Sequence, residues 1–310
     1  MTEPHPPALI ALDWGTTSLR AYLLDDAGSI AARAEKPLGI LQVPDGDFDR
    51  AFAATVAPFL AQKPGLTAIG CGMIGSRQGW LEAPYAACPA GLDELSRAMA
   101  SLTASDGTAF HIVPGMSVVD ADGVPDVMRG EETQILGQFG PGESGVAVLP
   151  GTHSKWALVE NGRIARFATF MTGEAFAAMR GHTILGRLMR EGAAPDAAGF
   201  ARGLDHAARP QPGRGGLLHR LFSARTLGLF DQIAGDALPS YLSGLMIGAE
   251  VEEAIQYLGA APSTVTVIGA PALAELYATA LARRSIVARP GAPDVAVRGL
   301  MRIARAAGLL

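Results

Sequence analysis

The chain has 310 residues, which is long for one hydrophobic core, so two domains are the better expectation. Its formal net charge of −5 argues against a nucleic-acid partner, because binding to phosphates requires a basic surface. No apolar run approaches the ~20 residues that span a bilayer, and the first residues lack the basic region of a signal peptide. Two cysteines are too few for a disulfide framework, and the composition predicts a cytoplasmic protein without a membrane partner.

The first predicted elements are two strands joined by a polar turn. Residues 8–12 form a continuous apolar run, residues 19–24 are apolar apart from Arg20, and DWGTTS lies between them. The backbone N–H groups of such a turn attract anions, and Asp13 at its start suits Mg²⁺. The pattern predicts a site for a phosphate with a metal ion. An ordinary β-hairpin with a turn rich in Gly and Thr is the alternative.

Helices and strands then alternate along the first half. Apolar residues at helical spacing predict a helix at 47–60, short apolar runs predict strands at 66–69 and 109–113, and a second helix is expected at 92–102. Residues 120–127 are rich in turn formers. They lead into a helix that begins near Glu131 and Glu132, where the helix dipole favours acidic side chains.

A glycine-rich segment follows the strand at 66–69. Its first residues, GCGMIG at 70–75, match the G-x-G-x-x-G pattern of dinucleotide-binding folds. That pattern should open a helix, whereas Gly79 and Pro84 interrupt the residues that follow. Dinucleotide binding is therefore the weaker interpretation of this segment.

The second half repeats the opening pattern after a linker, PGESG at 141–145. The linker predicts an N-terminal domain at 1–140 and a C-terminal domain at 141–310, with the last helix able to pack on the first domain. The polar turn of the second domain is PGTHSK at 150–155. The other expectations are strands at 146–149, 156–159, 164–171, 264–268 and 286–288, helices at 172–189 (with Thr172 as N-cap), 217–258, 272–283 and 294–309, and an irregular stretch at 192–216.

The two polar turns carry the groups that phosphoryl transfer requires without a P-loop, a motif that the sequence lacks. The reaction needs a carboxylate for Mg²⁺, donors for the phosphate oxygens and a base for the acceptor hydroxyl. Asp13 fits the first role and Glu131 fits the third. The donors are Gly15, Thr16, Thr17, Gly151, Thr152 and Ser154.

The chain resembles the 2-dehydro-3-deoxygalactonokinase family over nearly its whole length. The resemblance rests on segments that follow one another in order: DWGTTSLR at 13–20, GCGMIGSRQGW at 70–80, MRGEETQ at 128–134, LPGTHSKW at 149–156 and YLSGLMIG at 241–248. The opening turn is shared with many sugar kinases, whereas the combination of the later segments is specific.

The resemblance implies an α/β chain with the actin-like ATPase/hexokinase fold, in which two ribonuclease-H-like lobes enclose a central nucleotide cleft. It also implies the reaction, in which ATP with Mg²⁺ phosphorylates 2-dehydro-3-deoxy-D-galactonate at O6 during galactonate catabolism. The partners are then two small molecules, ATP and the sugar acid. The oligomeric state, monomer or homodimer, stays open.

The resemblance further implies roles for individual residues. The turns at 13–17 and 150–155 bind the ATP phosphates, and the helix start supplies the base, as Glu131 or its rival Glu132. The additional phosphate-binding candidates are Arg20, His153 and Lys155. The residues expected at adenosine are Gly269, Ala270 and Pro271. The residues expected at the substrate are Gly72, Met73, Ile74, Arg77 and Trp80.

Two of these substrate candidates also have a structural interpretation. Arg77 is the candidate cation for the substrate carboxylate, because a guanidinium matches a carboxylate through two hydrogen bonds, but a solvated surface arginine explains it nearly as well. Trp80 could pack on the carbon face of the sugar, but a position in the hydrophobic core explains it better. Two other functions remain as alternatives: a kinase of another sugar acid or polyol, and a non-catalytic nucleotide sensor with the actin-like fold.

Overall fold

The computed structural model describes residues 5–207 and 215–310, and the chain divides into two units. The first unit comprises Met1–Ser144, Leu158–Phe167 and Ala292–Leu310. The second comprises Gly145–Ala157 and Ala168–Gly291. The domain limits 1–140 and 141–310 stay a prediction.

Strands and helices follow one another in an α/β order. The strands are β1 (Pro7–Trp14), β2 (Leu19–Asp25), β3 (Ile30–Lys36), β4 (Thr67–Cys71), β5 (Tyr85–Ala87), β6 (Ala100–Thr103), β7 (Ala109–Ile112), β8 (Gly115–Val119), β9 (Pro125–Met128), β10 (Gly145–Leu149), β11 (Ser154–Glu160), β12 (Arg163–Phe170), β13 (Thr264–Val267) and β14 (Val287–Pro290). The helices are α1 (Phe48–Leu60), α2 (Leu92–Arg97), α3 (Glu131–Gln138), α4 (Thr172–His182), α5 (Ala197–Ala207), α6 (Leu217–Leu221), α7 (Ser223–Leu229), α8 (Leu238–Leu258), α9 (Pro271–Ala282) and α10 (Val295–Ala306).

Two sheets repeat one strand order, as the duplicated sequence pattern predicts. One sheet runs β3-β2-β1-β4-β7-β6 and the other runs β12-β11-β10-β13-β14. In the first sheet β1, β2 and β3 are antiparallel, and β4 and β7 then add parallel to β1. In the second sheet β10, β13 and β14 are parallel. The α/β fold class is confirmed.

An aromatic core fixes the first hairpin to the rest of its unit. Trp14, Phe52 and Phe110 are fully buried, and the Trp14 indole N–H donates to the Leu38 carbonyl at 2.7 Å. The predicted helix at 47–60 is confirmed as α1, with the Asp47 side chain accepting from the Arg50 N–H at its N-terminus. Burial of these large rings supplies the hydrophobic energy that holds the hairpin in place.

In the first half, one expected helix is wrong, and one turn-rich segment also contributes to a strand. The helix expected at 92–102 ends at Arg97, because Ala100–Thr103 pairs antiparallel with β7 and its alternate residues, Ala100 and Leu102, pack on the core. The turn-rich segment at 120–127 does contain a turn, at 121–123, but its last residues belong to β9, which forms a hairpin with β8. In both places, pairing with a strand outweighs the local pattern.

Three expectations in the second half also need correction. The helix expected at 172–189 ends at His182, and its N-cap is Met171. The helical stretch at 217–258 is interrupted between α7 and α8. The irregular stretch at 192–216 contains α5, while residues 208–214 lie outside the described residues.

Glycines explain why α5 is hard to predict. Gly203 lowers the helix propensity of this stretch, but a Cβ atom there would lie 2.1 Å from the Tyr241 carbonyl oxygen of α8. A Cβ atom on Gly244 would likewise lie 2.1 Å from the Phe200 carbonyl oxygen. The two helices therefore pack backbone against backbone. None of the helices in the described ranges has the length and hydropathy needed to cross a membrane.

Helix α10 packs against α3 at a similarly short distance. A Cβ atom on Gly299 would lie 1.9 Å from the Thr133 carbonyl oxygen. At the other end of α3, Arg302 Nη1 donates to the Gly137 and Phe139 carbonyl oxygens at 3.2 and 3.0 Å. Helix α10 therefore satisfies carbonyls that α3 itself leaves without a partner.

We expect Gly299→Ala to lower the free energy of unfolding by about 3 kcal/mol, because the added methyl forces α10 away from α3. Gly181→Ala is the matched control, since a Cβ atom on this helical glycine meets nothing within 4 Å. The control should be neutral or stabilising by up to about 1 kcal/mol. Urea unfolding of both variants measures the difference, and equal stabilities would contradict the packing described.

Candidate active site

Asp13 lies at the end of β1, opposite Arg20 on β2 and Cys71 on β4. Its side chain is 22% exposed, and Arg20 Nη1 lies 3.7 Å from its Oδ2. Burial raises the pKa of Asp13, the Arg20 guanidinium lowers it, and the charge of Glu131 raises it. Asp13 and Glu131 are therefore electrostatic neighbours although they are far apart in the sequence.

The turn after Asp13 keeps its hydroxyl groups accessible. Gly15 N donates to Ser18 O at 2.9 Å, which closes the turn, and Thr16 and Thr17 are exposed. Arg20 is already engaged, since its Nε donates to Glu35 Oε1 at 3.0 Å. The turn thus presents the predicted phosphate donors to solvent.

Two glycines bring the glycine-rich segment and α3 to the end of β1. Gly72 follows β4 with a φ of 91°, and a Cβ atom there would lie 2.8 Å from the Trp14 carbonyl oxygen. Gly130, the N-cap of α3, has a φ of 106°, and its Cβ atom would lie 3.2 Å from Gly72 Cα. Glycine adopts such positive φ values readily, whereas residues with a side chain rarely do. Their contact places the first turn of α3 beside Asp13.

The two acidic residues at the start of α3 differ in environment. Glu132 is fully buried and accepts from the Gly130 N–H at 2.7 Å and from the Thr133 hydroxyl at 2.9 Å. Burial, reinforced by the charge of Glu131, raises the pKa of Glu132 to about 7. Glu131 is only partly buried, and its Oε2 accepts from the Arg129 N–H at 3.0 Å.

Arg77 differs from the other predicted substrate residues in its exposure and in its partner. Its side chain is 86% exposed, and its Nε donates to Glu82 Oε1 at 3.0 Å. Ile74 is fully buried in the core, and Met73 packs against the same core.

The ring of Trp80 packs in the core as well. It lies 5.5 Å from the ring of Phe52 and 5.8 Å from that of Phe110. This position matches the structural alternative weighed for Trp80, and its role at the substrate stays a prediction.

In the second unit, the turn at 150–155 contacts the start of α4. The Glu174 N–H donates to the Thr152 carbonyl at 3.0 Å, and His153 Nε2 lies 2.5 Å from Glu174 Oε2. Thr152 and His153 are exposed, whereas Ser154 and Lys155 are buried. The exposed part of this turn is therefore Thr152 and His153.

Ser154 belongs to a buried hydrogen-bond network centred on Glu250. Tyr277 OH donates to Glu250 Oε2 at 2.6 Å, and Trp156 Nε1 donates to Glu250 Oε1 at 2.8 Å. Ser154 Oγ lies 2.9 Å from Tyr277 OH; because that hydroxyl already donates to Glu250, Ser154 is the donor. The Ser154 hydroxyl thus faces the interior, and the network ties the turn to α8 and α9.

The turn expected at adenosine begins beside the second polar turn. A Cβ atom on Gly269 would lie 3.5 Å from Pro150 Cδ, because β10 and β13 are parallel neighbours and end together. Ala270 is the N-cap of α9 and Pro271 its first residue. All three residues of this turn are exposed.

Asp13 fits a magnesium ion that arrives with ATP. No cluster of three or more His, Cys, Asp or Glu side chains suited to a metal occurs among the described residues. Magnesium carried by nucleotide phosphates needs only one or two protein carboxylates, since phosphates and water complete its coordination. The partly exposed carboxylate of Asp13 meets that requirement.

Glu250 and Tyr277 are the residues that sequence reasoning missed. No short motif contains either of them. The available signal was a carboxylate that follows the apolar run of α8 at 244–249, and Glu250 is 3% exposed there.

Comparison with known proteins yields one family. The profile of the 2-keto-3-deoxy-galactonokinase family matches residues 13–303. A protein of Rhizobium meliloti (strain 1021), whose name assigns it to 2-dehydro-3-deoxygalactonokinase, is 37% identical over 304 residues, 96% of each chain. The 2-dehydro-3-deoxygalactonokinase of Escherichia coli (strain K12) is 32% identical over 96% of this chain and 97% of its own.

Solved structures agree with this result. A crystal structure from Sinorhizobium meliloti, assigned to the same enzyme, has a TM-score of 0.86 at 35% identity and covers 96% of this chain and 98% of its own. The activator of 2-hydroxyisocaproyl-CoA dehydratase from Clostridium difficile, solved with ADPNP, shares only the fold, with a TM-score of 0.51 at 13% identity over 96% of this chain and 95% of that one. The resemblance read from the sequence motifs is therefore confirmed, and the chain belongs to the 2-keto-3-deoxy-galactonokinase family of sugar-acid kinases.

Proposed function

We propose that this protein transfers the γ-phosphoryl group of ATP to O6 of 2-dehydro-3-deoxy-D-galactonate, giving the 6-phosphate and ADP in galactonate catabolism. The observation that carries the proposal is the meeting of Asp13, the glycine-rich segment and Glu131 at the ends of β1 and β4. A metal carboxylate and a base next to each other are what in-line transfer to an alcohol requires. The names of the two curated relatives supply the substrate.

Asp13 holds Mg²⁺ in this proposal, and the turns bind ATP. When bound, Mg²⁺ neutralises charge on the phosphate oxygens. Backbone N–H groups and hydroxyls bind those oxygens; they belong to Gly15, Thr16, Thr17, Gly151, Thr152, His153 and Ser154, with Arg20 and Lys155 contributing positive charge. The adenosine contacts are assigned to Gly269, Ala270 and Pro271. Because the hydroxyl of Ser154 is buried, the phosphate contact proposed for this residue is assigned to its backbone N–H group.

Glu131 is the proposed base that accepts the proton of the O6 hydroxyl. It is partly exposed, whereas both carboxylate oxygens of Glu132 are buried and accept hydrogen bonds from within α3 and its N-cap. A base must reach the proton it removes, so the buried rival is the poorer candidate. The substrate is assigned to the segment of Gly72, Met73 and Ile74, of which Met73 is partly buried, while Ile74 and Trp80 support the segment from the core.

The protein is proposed to act in the cytoplasm. Its partners are small molecules and not nucleic acid, and it is either a monomer or a homodimer. A kinase of another sugar acid or polyol is the alternative within enzymes. The non-catalytic nucleotide sensor is disfavoured, because a sensor has no need of a base beside the metal carboxylate.

A coupled ADP-release assay over a panel of sugar acids and polyols tests the function. We expect turnover with 2-dehydro-3-deoxy-D-galactonate well above that with polyols and with sugar acids that lack the 2-keto group. Preference for a different acceptor would replace the substrate, and binding of ATP without turnover of any acceptor would favour the sensor.

Asp13→Asn should lower kcat by about 10²-fold or more, because several kcal/mol of charge stabilisation is lost with the metal carboxylate. The fold should survive, since burial already disfavours the charged form of Asp13. Asp26→Asn, at an exposed position, is the control and should keep wild-type kcat. The variant's melting temperature is measured alongside kcat to show that it is folded. An unchanged kcat in the folded Asp13→Asn variant would refute the role of Asp13 as the metal carboxylate.

Glu131→Gln should lower kcat by about 10²-fold or more while KM for ATP changes little, because only proton removal is lost. Glu132→Gln is the matched variant one residue along the helix. It should keep most of the activity, since a carboxyl group with a pKa of about 7 is already half neutral near that pH. A loss of kcat confined to Glu132→Gln would transfer the role to that residue.

A further inference from the structure

We propose that the guanidinium of Arg129 binds the carboxylate of the substrate and thereby selects sugar acids over neutral sugars; this inference rests on the proposed function. Arg129 lies between the end of β9 and Gly130. Its backbone N–H donates to Glu131 Oε2 at 3.0 Å, so the same short segment carries both the proposed base and this cation.

Two contacts fix the plane of the Arg129 guanidinium. Nη2 donates to the Ala83 carbonyl oxygen at 2.8 Å. The central carbon lies 4.3 Å from the centre of the Tyr85 ring, a cation–π contact. A guanidinium held on one edge and one face cannot rotate freely, so its remaining N–H groups have fixed directions.

Those remaining N–H groups lack an acceptor. Arg129 Nε and Nη1 are buried, and no atom of the described residues accepts a hydrogen bond from either. A buried donor without a partner is costly, and the penalty is larger for a charged group. An anionic ligand would supply the missing acceptors.

In the part of the chain that the structure describes, buried polar atoms without a hydrogen-bond partner are concentrated around the Arg129 guanidinium. Three of the five buried side-chain N and O atoms without a partner in the described ranges are Ser76 Oγ, Arg129 Nε and Arg129 Nη1. Nη1 lies against Gly75, where a Cβ atom would approach it to 3.0 Å, and Ser76 is the next residue. Both groups therefore lie at the glycine-rich segment, whose Gly72 is next to Asp13.

Arg77 is the weaker candidate for the carboxylate. Its side chain is 86% exposed and already paired with Glu82, so water and a carboxylate compete for it. An exposed pair of this kind contributes little to binding. The Nε and Nη1 atoms of Arg129, in contrast, are shielded from water and unused as donors, which is the setting in which a charge-assisted hydrogen bond is strong.

The test compares Arg129→Gln with Arg97→Gln, a control that removes an exposed arginine of the same unit, which pairs with Asp93. With 2-dehydro-3-deoxy-D-galactonate as substrate, Arg129→Gln should raise KM for the acid by about 10- to 100-fold, while KM for ATP changes little. The C1-carboxamide of the substrate should be used equally well by wild type and Arg129→Gln, because it lacks the charge that Arg129 recognises.

Other results for these variants would contradict either the role of Arg129 or the proposed function. An unchanged KM for the acid in Arg129→Gln, or a similar rise in Arg77→Gln alone, overturns the inference. Equal losses on the acid and the carboxamide assign Arg129 a structural role and also overturn it. If Arg129→Gln does not fold, Arg129→Lys gives the same comparison with a smaller loss, since an ammonium keeps the charge without the fork. A wild type that phosphorylates no 2-keto-3-deoxy acid contradicts the proposed function itself.

Discussion

The backbone contact between Gly72 and Gly130 is the constraint on which the first unit depends. Neither position has room for a side chain, and both adopt φ values that other residues avoid. The end of β4 can therefore approach the start of α3 and the carbonyl of Trp14 at once. Because these backbones are so close, the charge of Glu131 raises the pKa of Asp13, a residue from a distant part of the sequence.

The second unit organises its polar turn by a different physical means. Here a fully enclosed carboxylate, Glu250, collects donors from Trp156 and Tyr277, and Ser154 joins through the tyrosine hydroxyl. A buried charge is tolerated only when its hydrogen bonds are complete, which makes such a network rigid. One unit thus fixes its turn by close backbone packing, and the other by a buried polar cluster.

Much of this could be predicted from sequence, because local signals agreed with tertiary structure in the hairpins. The strand, polar turn and second strand around Asp13 have a continuous apolar pattern, and the repeated order of elements pointed to two similar sheets. The prediction failed where distant contacts decide the outcome: Ala100–Thr103 becomes a strand by pairing with β7, and α5 forms because its glycines fit against α8. Arg129 escaped notice for the same reason, since only the fold shows that its N–H groups are buried.

The position of α10 has a consequence for the order in which the protein can mature. Residues 292–310 are synthesised after the rest of the first unit, yet Arg302 supplies the donors for the last carbonyl groups of α3. Until these residues are made, α3 lacks those donors and the glycine-to-backbone contact with α10. The helix that begins at Glu131 is therefore completed by a segment that the ribosome makes only after the second unit.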